Sequence, residues 1–218
     1  MQRWERYAPL TGVAAVVLWI VGTFLLEKDD RPEGKDTAAF VAWVEANDTA
    51  IITGAVIFGF GVVFFVWMLG SLRASLFAAE GGVGRLSTLA FGSGIATALS
   101  MLFTVLPHAQ AAFDKNDTSD TSIDALVHMG DAFFGGVELF AIPMLVATAL
   151  VILRYAALPR WLAWFSLVLA LFLVIIPIGW LGVLIGLPLW TLVTAVVLYM
   201  RMQPAGEPVA TPPPTTPT

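Results

Sequence analysis

Three ionisable residues interrupt one long apolar stretch of the sequence, at His128, Asp131 and Glu138. Successive residues of an α-helix are about 100° apart, which places Asp131 and Glu138 on one face with His128 beside them. Gly135 leaves a notch within this stripe. A carboxylate in an apolar helix needs a proton, a counter-ion or water, so such residues are functional candidates. The stripe predicts a site for a small cation, a proton or a cationic solute, with Glu138 as its charge partner.

The preceding apolar stretch carries a second polar stripe. Its members recur at helical spacing and end on a histidine: Ser93, Thr97, Ser100, Thr104 and His108. The two helices are expected to run antiparallel, and if their stripes face each other, a polar crevice descends between them. Serine and threonine in apolar helices also bond to their own backbone and allow close packing, so this second stripe has a purely structural alternative.

Metal chemistry is a further hypothesis. His108, His128 and Asp131 have side chains that bind zinc or another divalent metal, and apart from such a metal no cofactor is assigned. With Glu138 as base, such a metal would support an outward-facing hydrolase. The two histidines could also ligate haem. Their spacing matches no known metal motif, and we assign no catalytic residue. The chain has no cysteine, which removes thiolate metal sites, iron–sulfur clusters and cysteine nucleophiles.

These residues belong to a chain that is too apolar for a soluble fold. Of its 218 residues, 58% are hydrophobic and 12% charged, about half the charge of a soluble domain. Six runs are long enough to cross a hydrocarbon core of about 30 Å as helices: 8–26, 49–72, 86–106, 125–153, 161–176 and 181–200. We therefore predict an all-α fold class, a polytopic membrane protein whose six transmembrane helices form three hairpins.

Several boundaries follow from local signals. A short amphipathic helix is expected at 37–45, on the membrane surface or over the mouth of the bundle. Asp48 is the predicted N-cap of the second span, whose helix should extend toward Glu80. Pro107 is expected to close the third span. Pro177, with two nearby glycines, separates the last two spans, and the Pro- and Thr-rich residues 204–218 are predicted to be a disordered cytoplasmic tail.

The arginines indicate orientation. Those next to the predicted spans fall on one side: Arg3, Arg6, Arg73, Arg85, Arg154, Arg160 and Arg201. Basic residues favour the cytoplasmic side, which predicts a multi-pass protein with both termini in the cytoplasm. A net charge of −5 with scattered basic residues argues against nucleic acid as a partner. The expected partners are the lipid bilayer and, as open alternatives, other membrane proteins or a second copy of the chain.

Several short motifs resemble those of a family of six-helix membrane proteins of unknown function that is common in actinobacteria. The similar segments are DTAAFV (36–41), LGSLR (69–73), AAEGG (78–82), LPRWL (158–162) and IPIGW (176–180). The resemblance implies a bacterial inner-membrane setting, and it supplies no activity or catalytic residues.

Three functions remain open at this point. The polar stripes favour binding or transport of a small cation, a proton or a cationic solute. A bundle without any such site would suit a non-catalytic accessory or assembly subunit of a membrane complex. The metal hypothesis predicts the third function, a metal-dependent membrane hydrolase that faces outward.

Overall fold

The computed structural model describes residues 3–29, 31–32, 37–114 and 119–201. Every regular element in these residues is a helix, so the all-α fold class is confirmed. A 3-10 helix, Arg3–Leu10, leads into the α-helices in this order: α1 (Thr11–Leu26), α2 (Thr37–Glu80), α3 (Arg85–Phe113), α4 (Asp120–Tyr155), α5 (Arg160–Val174), α6 (Ile176–Leu181) and α7 (Leu187–Arg201). A π-helical segment, Gly182–Gly186, joins α6 to α7. The predicted tail at 204–218 lies outside the described residues.

Most of these helices are long and apolar. In the described part of the chain, five are able to cross a membrane by length and composition: Glu5–Leu26, Ala38–Glu80, Arg85–Phe113, Asp120–Tyr155 and Ile178–Arg201. The remaining predicted span, 161–176, corresponds to α5, which is apolar but has 15 residues and is about 22 Å long. Since about 20 residues are needed to cross a hydrocarbon core of about 30 Å, α5 is short for a full crossing.

The chain reverses direction at Ile175, between α5 and α6. Pro177 has no N–H group to continue the hydrogen bonds of α5, so the helix break predicted at this residue is confirmed. Two hydrogen bonds join α7 to α5 and to the chain segment just before it. Trp190 Nε1 donates to Ser166 Oγ at 2.8 Å, and the Arg201 side chain donates to the Ala157 carbonyl oxygen at 3.0 Å.

The prediction that α2 begins at Asp48 is wrong. The structure has one helix of 44 residues, about 66 Å long, that joins the expected surface helix at 37–45 to the expected span. Residues 37–53 contain neither proline nor glycine, so no local break exists there. Val44 and Ile51 are buried on either side of Asp48, which holds the helix in one piece. The predicted extension to Glu80 is confirmed.

The predicted end of α3 at Pro107 is also wrong, because the helix continues to Phe113 with Pro107 inside it. A proline within a helix removes one backbone hydrogen bond. Ala111 and Ala112, in the added turn, are fully buried and pack in an apolar cluster, which offsets that loss.

Buried apolar side chains form two separate clusters. The larger lies within the bundle. The smaller lies where the first part of α2, the end of α3 and the start of α4 meet, and it consists of Phe40, Val41, Trp43, Val44, Ile51, Ala111, Ala112, Ile123 and Val127. Phe40, Trp43 and Val44 lie together in this cluster and form the buried apolar face of the segment predicted to be amphipathic at 37–45. We call this end of the bundle the connection end, and the opposite end, which holds Glu80 and Arg201, the tail end.

At the tail end, Glu80 caps the start of α3. Its carboxylate accepts hydrogen bonds from the Leu86 N–H at 2.9 Å and the Ser87 N–H at 2.8 Å. Burial raises the pKa of Glu80, but these donors outweigh it and hold the pKa below the ordinary value of 4.5. The carboxylate therefore stabilises the fold above pH 4.5, and that contribution is lost as the pH falls through and below this value.

Glu80→Gln should lower the thermal unfolding midpoint of the detergent-solubilised protein by a few degrees at pH 7, because the amide is a weaker acceptor for the two N–H donors. The gap between the unfolding midpoints of the variant and the wild type should narrow as the pH falls below 4.5, because the Glu80 carboxyl of the unfolded chain then takes up a proton before that of the folded protein does. Tryptophan fluorescence measures both midpoints. Glu5→Gln, at the same end of the bundle, is the control, and a gap independent of pH would contradict the assignment.

Candidate functional site

The helices α3 and α4 pack closely, and the two predicted polar stripes meet where His108 Nε2 lies 3.6 Å from Asp131 Oδ1. Two glycines of α4 permit this approach: a Cβ atom at Gly130 would lie 2.7 Å from the Thr104 carbonyl oxygen, and one at Gly136 would lie 2.9 Å from Ser100 Oγ. The notch expected at Gly135 does not belong to this contact, since no atom lies within 4 Å of a Cβ placed there. At these residues α3 and α4 are packed directly against each other. The crevice that the sequence suggested between the two helices is therefore closed there.

The two threonine hydroxyl groups of the α3 stripe bond to their own helix. Thr97 Oγ1 donates to the Ser93 carbonyl oxygen at 2.9 Å, and Thr104 Oγ1 donates to that of Ser100 at 3.0 Å. Ser93, Thr97 and Ser100 are buried. This pattern matches the structural alternative for the stripe, in which the hydroxyls allow close packing.

An ion pair closes the connection end of α3 and α4. Arg31, in the α1–α2 connection, donates to both carboxylate oxygens of Asp131, from Nη2 to Oδ2 at 2.7 Å and from Nη1 to Oδ1 at 3.3 Å. The exposed fraction of the side chain is 24% for Arg31 and 44% for Asp131. A two-point contact of this kind fixes orientation as well as charge. It joins residues that are 100 positions apart and anchors the connection onto α4.

His108 completes this group, which we call the polar cluster of Arg31, Asp131 and His108. Its Nδ1 lies 2.9 Å from the Thr104 carbonyl oxygen, which only accepts, so Nδ1 carries the hydrogen. Nε2 lies 3.4 Å from Arg31 Nη1. Nε2 also lies 3.6 Å from Asp131 Oδ1. The second ring nitrogen of His108 therefore faces both the guanidinium of Arg31 and the carboxylate of Asp131.

A cavity of about 690 Å³ lies beneath the polar cluster, between α1, α2, α3, α4 and the α6–α7 segment. Its walls are mainly apolar and include five aromatic side chains: Trp19, Phe24, Phe58, Phe134 and Trp180. Its charged lining residues, Glu27, Arg31 and Asp131, belong to the connection end, as does His108. The cavity is therefore an apolar space with one polar end.

Comparison of the chain with protein-family models, with curated proteins and with solved structures gives no match. The cavity and its polar end therefore carry the functional interpretation. The actinobacterial resemblance of the sequence motifs stays a prediction.

The cavity is partly open, and the exposed residues of its lining place the opening between α1 and the α6–α7 segment. These elements are in close contact at the tail end, where a Cβ atom at Gly12 would lie 2.8 Å from Ala195 Cβ. Toward the connection end they diverge, and the cavity-lining side chains on both edges are exposed: Ile20, Phe24, Trp180 and Leu184. Leu184 belongs to the π-helical segment, a type of irregularity that often accompanies functional sites.

Glu138 lies apart from the polar cluster. It does not line the cavity, and it packs against the α5–α6 turn. A Cβ atom at Gly179 would lie 3.0 Å from Glu138 Oε1 and 3.1 Å from the Leu173 carbonyl oxygen. A glycine is needed at position 179 to let the carboxyl group approach this turn.

His128 is also separate. Its Nε2 lies 3.6 Å from Asp124 Oδ1, one turn away, and its side chain is 63% exposed. The predicted metal ligands are thus divided between two pairs, His108 with Asp131 and His128 with Asp124. Within the described residues, no group of three or more His, Cys, Asp or Glu side chains is placed to hold a metal ion.

Sequence reasoning missed Arg31 and the aromatic walls. One signal for Arg31 existed: Asp131 needs a counter-charge, and few basic residues lie on its side of the predicted membrane. The spacing of these basic residues along the sequence does not show which of them pairs with Asp131. The aromatic residues resembled ordinary lipid-facing side chains, because their common cavity depends on how α1 diverges from α7.

Proposed function

We propose that the protein is a multi-pass protein of the bacterial inner membrane, with both termini in the cytoplasm and the connection end outside. Its helices would form three hairpins: α1 with α2, α3 with α4, and α5 with the α6–α7 segment. Large apolar side chains on the bundle surface support this, among them Phe24, Leu139, Val168 and Leu171, all more than 60% exposed. The tail end holds Arg201 and the other arginines expected on the cytoplasmic side.

Within this setting, we infer that the bundle binds an amphipathic molecule in its cavity. The observation that carries this inference is the apolar cavity of about 690 Å³ with a single polar end. Ligand sites in proteins are typically about 300–1,000 Å³, mostly apolar, with a few polar groups that set orientation. The apolar part of the ligand would lie among the aromatic walls, and its polar head at Arg31, Asp131 and His108.

The sideways opening supports entry from the lipid phase. A ligand that is already dissolved in the membrane reaches such an opening without crossing water. Binding in this cavity therefore has more support than passage of a small ion between α3 and α4, which are packed together at Gly130 and Gly136. The hydrolase has less support, because its proposed ligands are divided between two pairs.

Leu184→Trp should fill the cavity and weaken binding of monodecanoylglycerol, an amphiphile with an uncharged head, at least tenfold. Ile185→Trp is the matched control, because Ile185 is the next residue, is 63% exposed and does not line the cavity. Native mass spectrometry of the detergent-solubilised protein measures the bound fraction. Ile20→Trp, on the opposite edge, repeats the test if the first variant does not fold. Equal binding by the filled variants and the control would overturn the proposed function.

A further inference from the structure

The charges at the polar end of the cavity identify the class of ligand. Resting on the proposed function, we propose that the cavity takes an amphipathic cation: an apolar or aromatic body that carries a positively charged head. Glu27, at the edge of the polar cluster, is the carboxylate that the head would approach.

Among the cavity-lining residues, two carboxylates face one guanidinium. Arg31 is already paired at two points with Asp131, with a shortest distance of 2.7 Å. Glu27 Oε1 lies 3.9 Å from Arg31 Nη1, and its side chain is 53% exposed. In the formal charge count at pH 7, histidine is neutral, so His108 does not enter this balance. The lining therefore carries one excess negative charge, which attracts a cation and repels an anion.

The charged side chains next to the polar cluster do not reverse this excess of negative charge. Lys28 is 3.9 Å from Asp29, and these two charges are equal and opposite. An anionic head would need Arg31 to release Asp131, leaving that carboxylate without its partner at the edge of an apolar space. A cationic head needs no such rearrangement, because it adds a second positive partner for Glu27.

The aromatic walls of the cavity favour the same class of ligand, an amphipathic cation. Aromatic faces carry partial negative charge and attract cations within about 6 Å of the ring centre. Five aromatic side chains line the cavity, and Trp180 stands at its open edge. The sequence suggested a cationic solute in a crevice between α3 and α4. The site proposed for a cation instead lies in the cavity beside α1 and α6.

Two probe ions of the same four-phenyl shape and opposite charge test the inference: tetraphenylphosphonium and tetraphenylborate. Equilibrium dialysis of the full-length protein in an uncharged detergent, against protein-free micelles, measures the binding of each. We expect tetraphenylphosphonium to bind at least tenfold more tightly than tetraphenylborate. Glu27→Gln should weaken phosphonium binding at least fivefold, whereas Glu5→Gln, a matched loss of charge at the tail end, should leave it unchanged.

The outcomes separate this inference from the proposed function. If both ions bind equally and Leu184→Trp abolishes both, the cavity binds ligands but the charge preference is wrong. If phosphonium binding is insensitive to Leu184→Trp or to Glu27→Gln, the ion binds elsewhere and the inference is overturned. In each case the monodecanoylglycerol measurement decides the proposed function independently. Thermal unfolding midpoints show that each variant is folded.

Discussion

Gly54→Val should destabilise the bundle by about 3 kcal/mol, because α1 and α2 touch there through backbone atoms. A Cβ atom at Gly54 would lie 2.8 Å from the Gly22 carbonyl oxygen and 3.0 Å from the Leu26 backbone nitrogen. Overpacking usually costs about 1–3 kcal/mol and more when neighbours are unable to rotate away, and these neighbours are main chain. The helices would have to separate.

Other glycines of the chain provide a control for the prediction at Gly54. At Gly70 and Gly92 nothing lies within 4 Å of an added Cβ atom, although both are inside helices. Alanine at such a position should be neutral or stabilising by up to about 1 kcal/mol, since glycine is the poorer helix former. Chemical unfolding in mixed micelles compares Gly54→Val and Gly54→Ala with Gly92→Val and Gly92→Ala. Equal effects at the two positions would contradict the close contact between α1 and α2.

Breaking the Arg31–Asp131 pair should destabilise the connection end by about 2 kcal/mol. Each single variant, Arg31→Ala or Asp131→Asn, leaves one partner without its counter-charge. The value lies between that of exposed pairs, about 0–1 kcal/mol, and buried ones, about 3–5 kcal/mol, because Arg31 is mostly buried and Asp131 half-exposed.

A double-mutant cycle isolates the coupling between the two residues. The double variant should be no less stable than the worse single variant, because it leaves no orphaned charge. Lys28→Ala, on the same connection, should change the unfolding free energy by less than about 0.5 kcal/mol, since Lys28 is well exposed. Hydrogen exchange of residues 27–32 should increase in both single variants. Strictly additive losses would show that the contact contributes no coupling.

The apolar runs of the sequence predicted the helices well, because length and hydropathy are local properties. The break at Pro177 and the extension of α2 to Glu80 were predicted for the same reason. The boundaries failed where tertiary packing overrode a local signal. Asp48 does not start a helix, because Val44 and Ile51 are buried on both sides of it, and α3 continues past Pro107 because Ala111 and Ala112 are buried.

The candidate site was less predictable than the helices. Helical spacing placed Asp131 and Glu138 on one face, but it could not show that Asp131 meets Arg31 while Glu138 meets the α5–α6 turn. Such partners are distant in sequence and depend on the angles between helices. The volume of the cavity also depends on those angles, so no spacing rule could have revealed it.

The length of α2 gives the molecule a mechanical property. One helix of 44 residues passes from the smaller apolar cluster, where Val44 is buried, to the cap that Glu80 places on α3. Treated as a rigid rod of about 66 Å, it would displace each end by about 3 Å for a tilt of about 5° around its midpoint. Phe58, near the middle of this rod, lines the cavity. A ligand that shifts Phe58 would therefore move the middle of a helix whose two ends lie at opposite ends of the bundle.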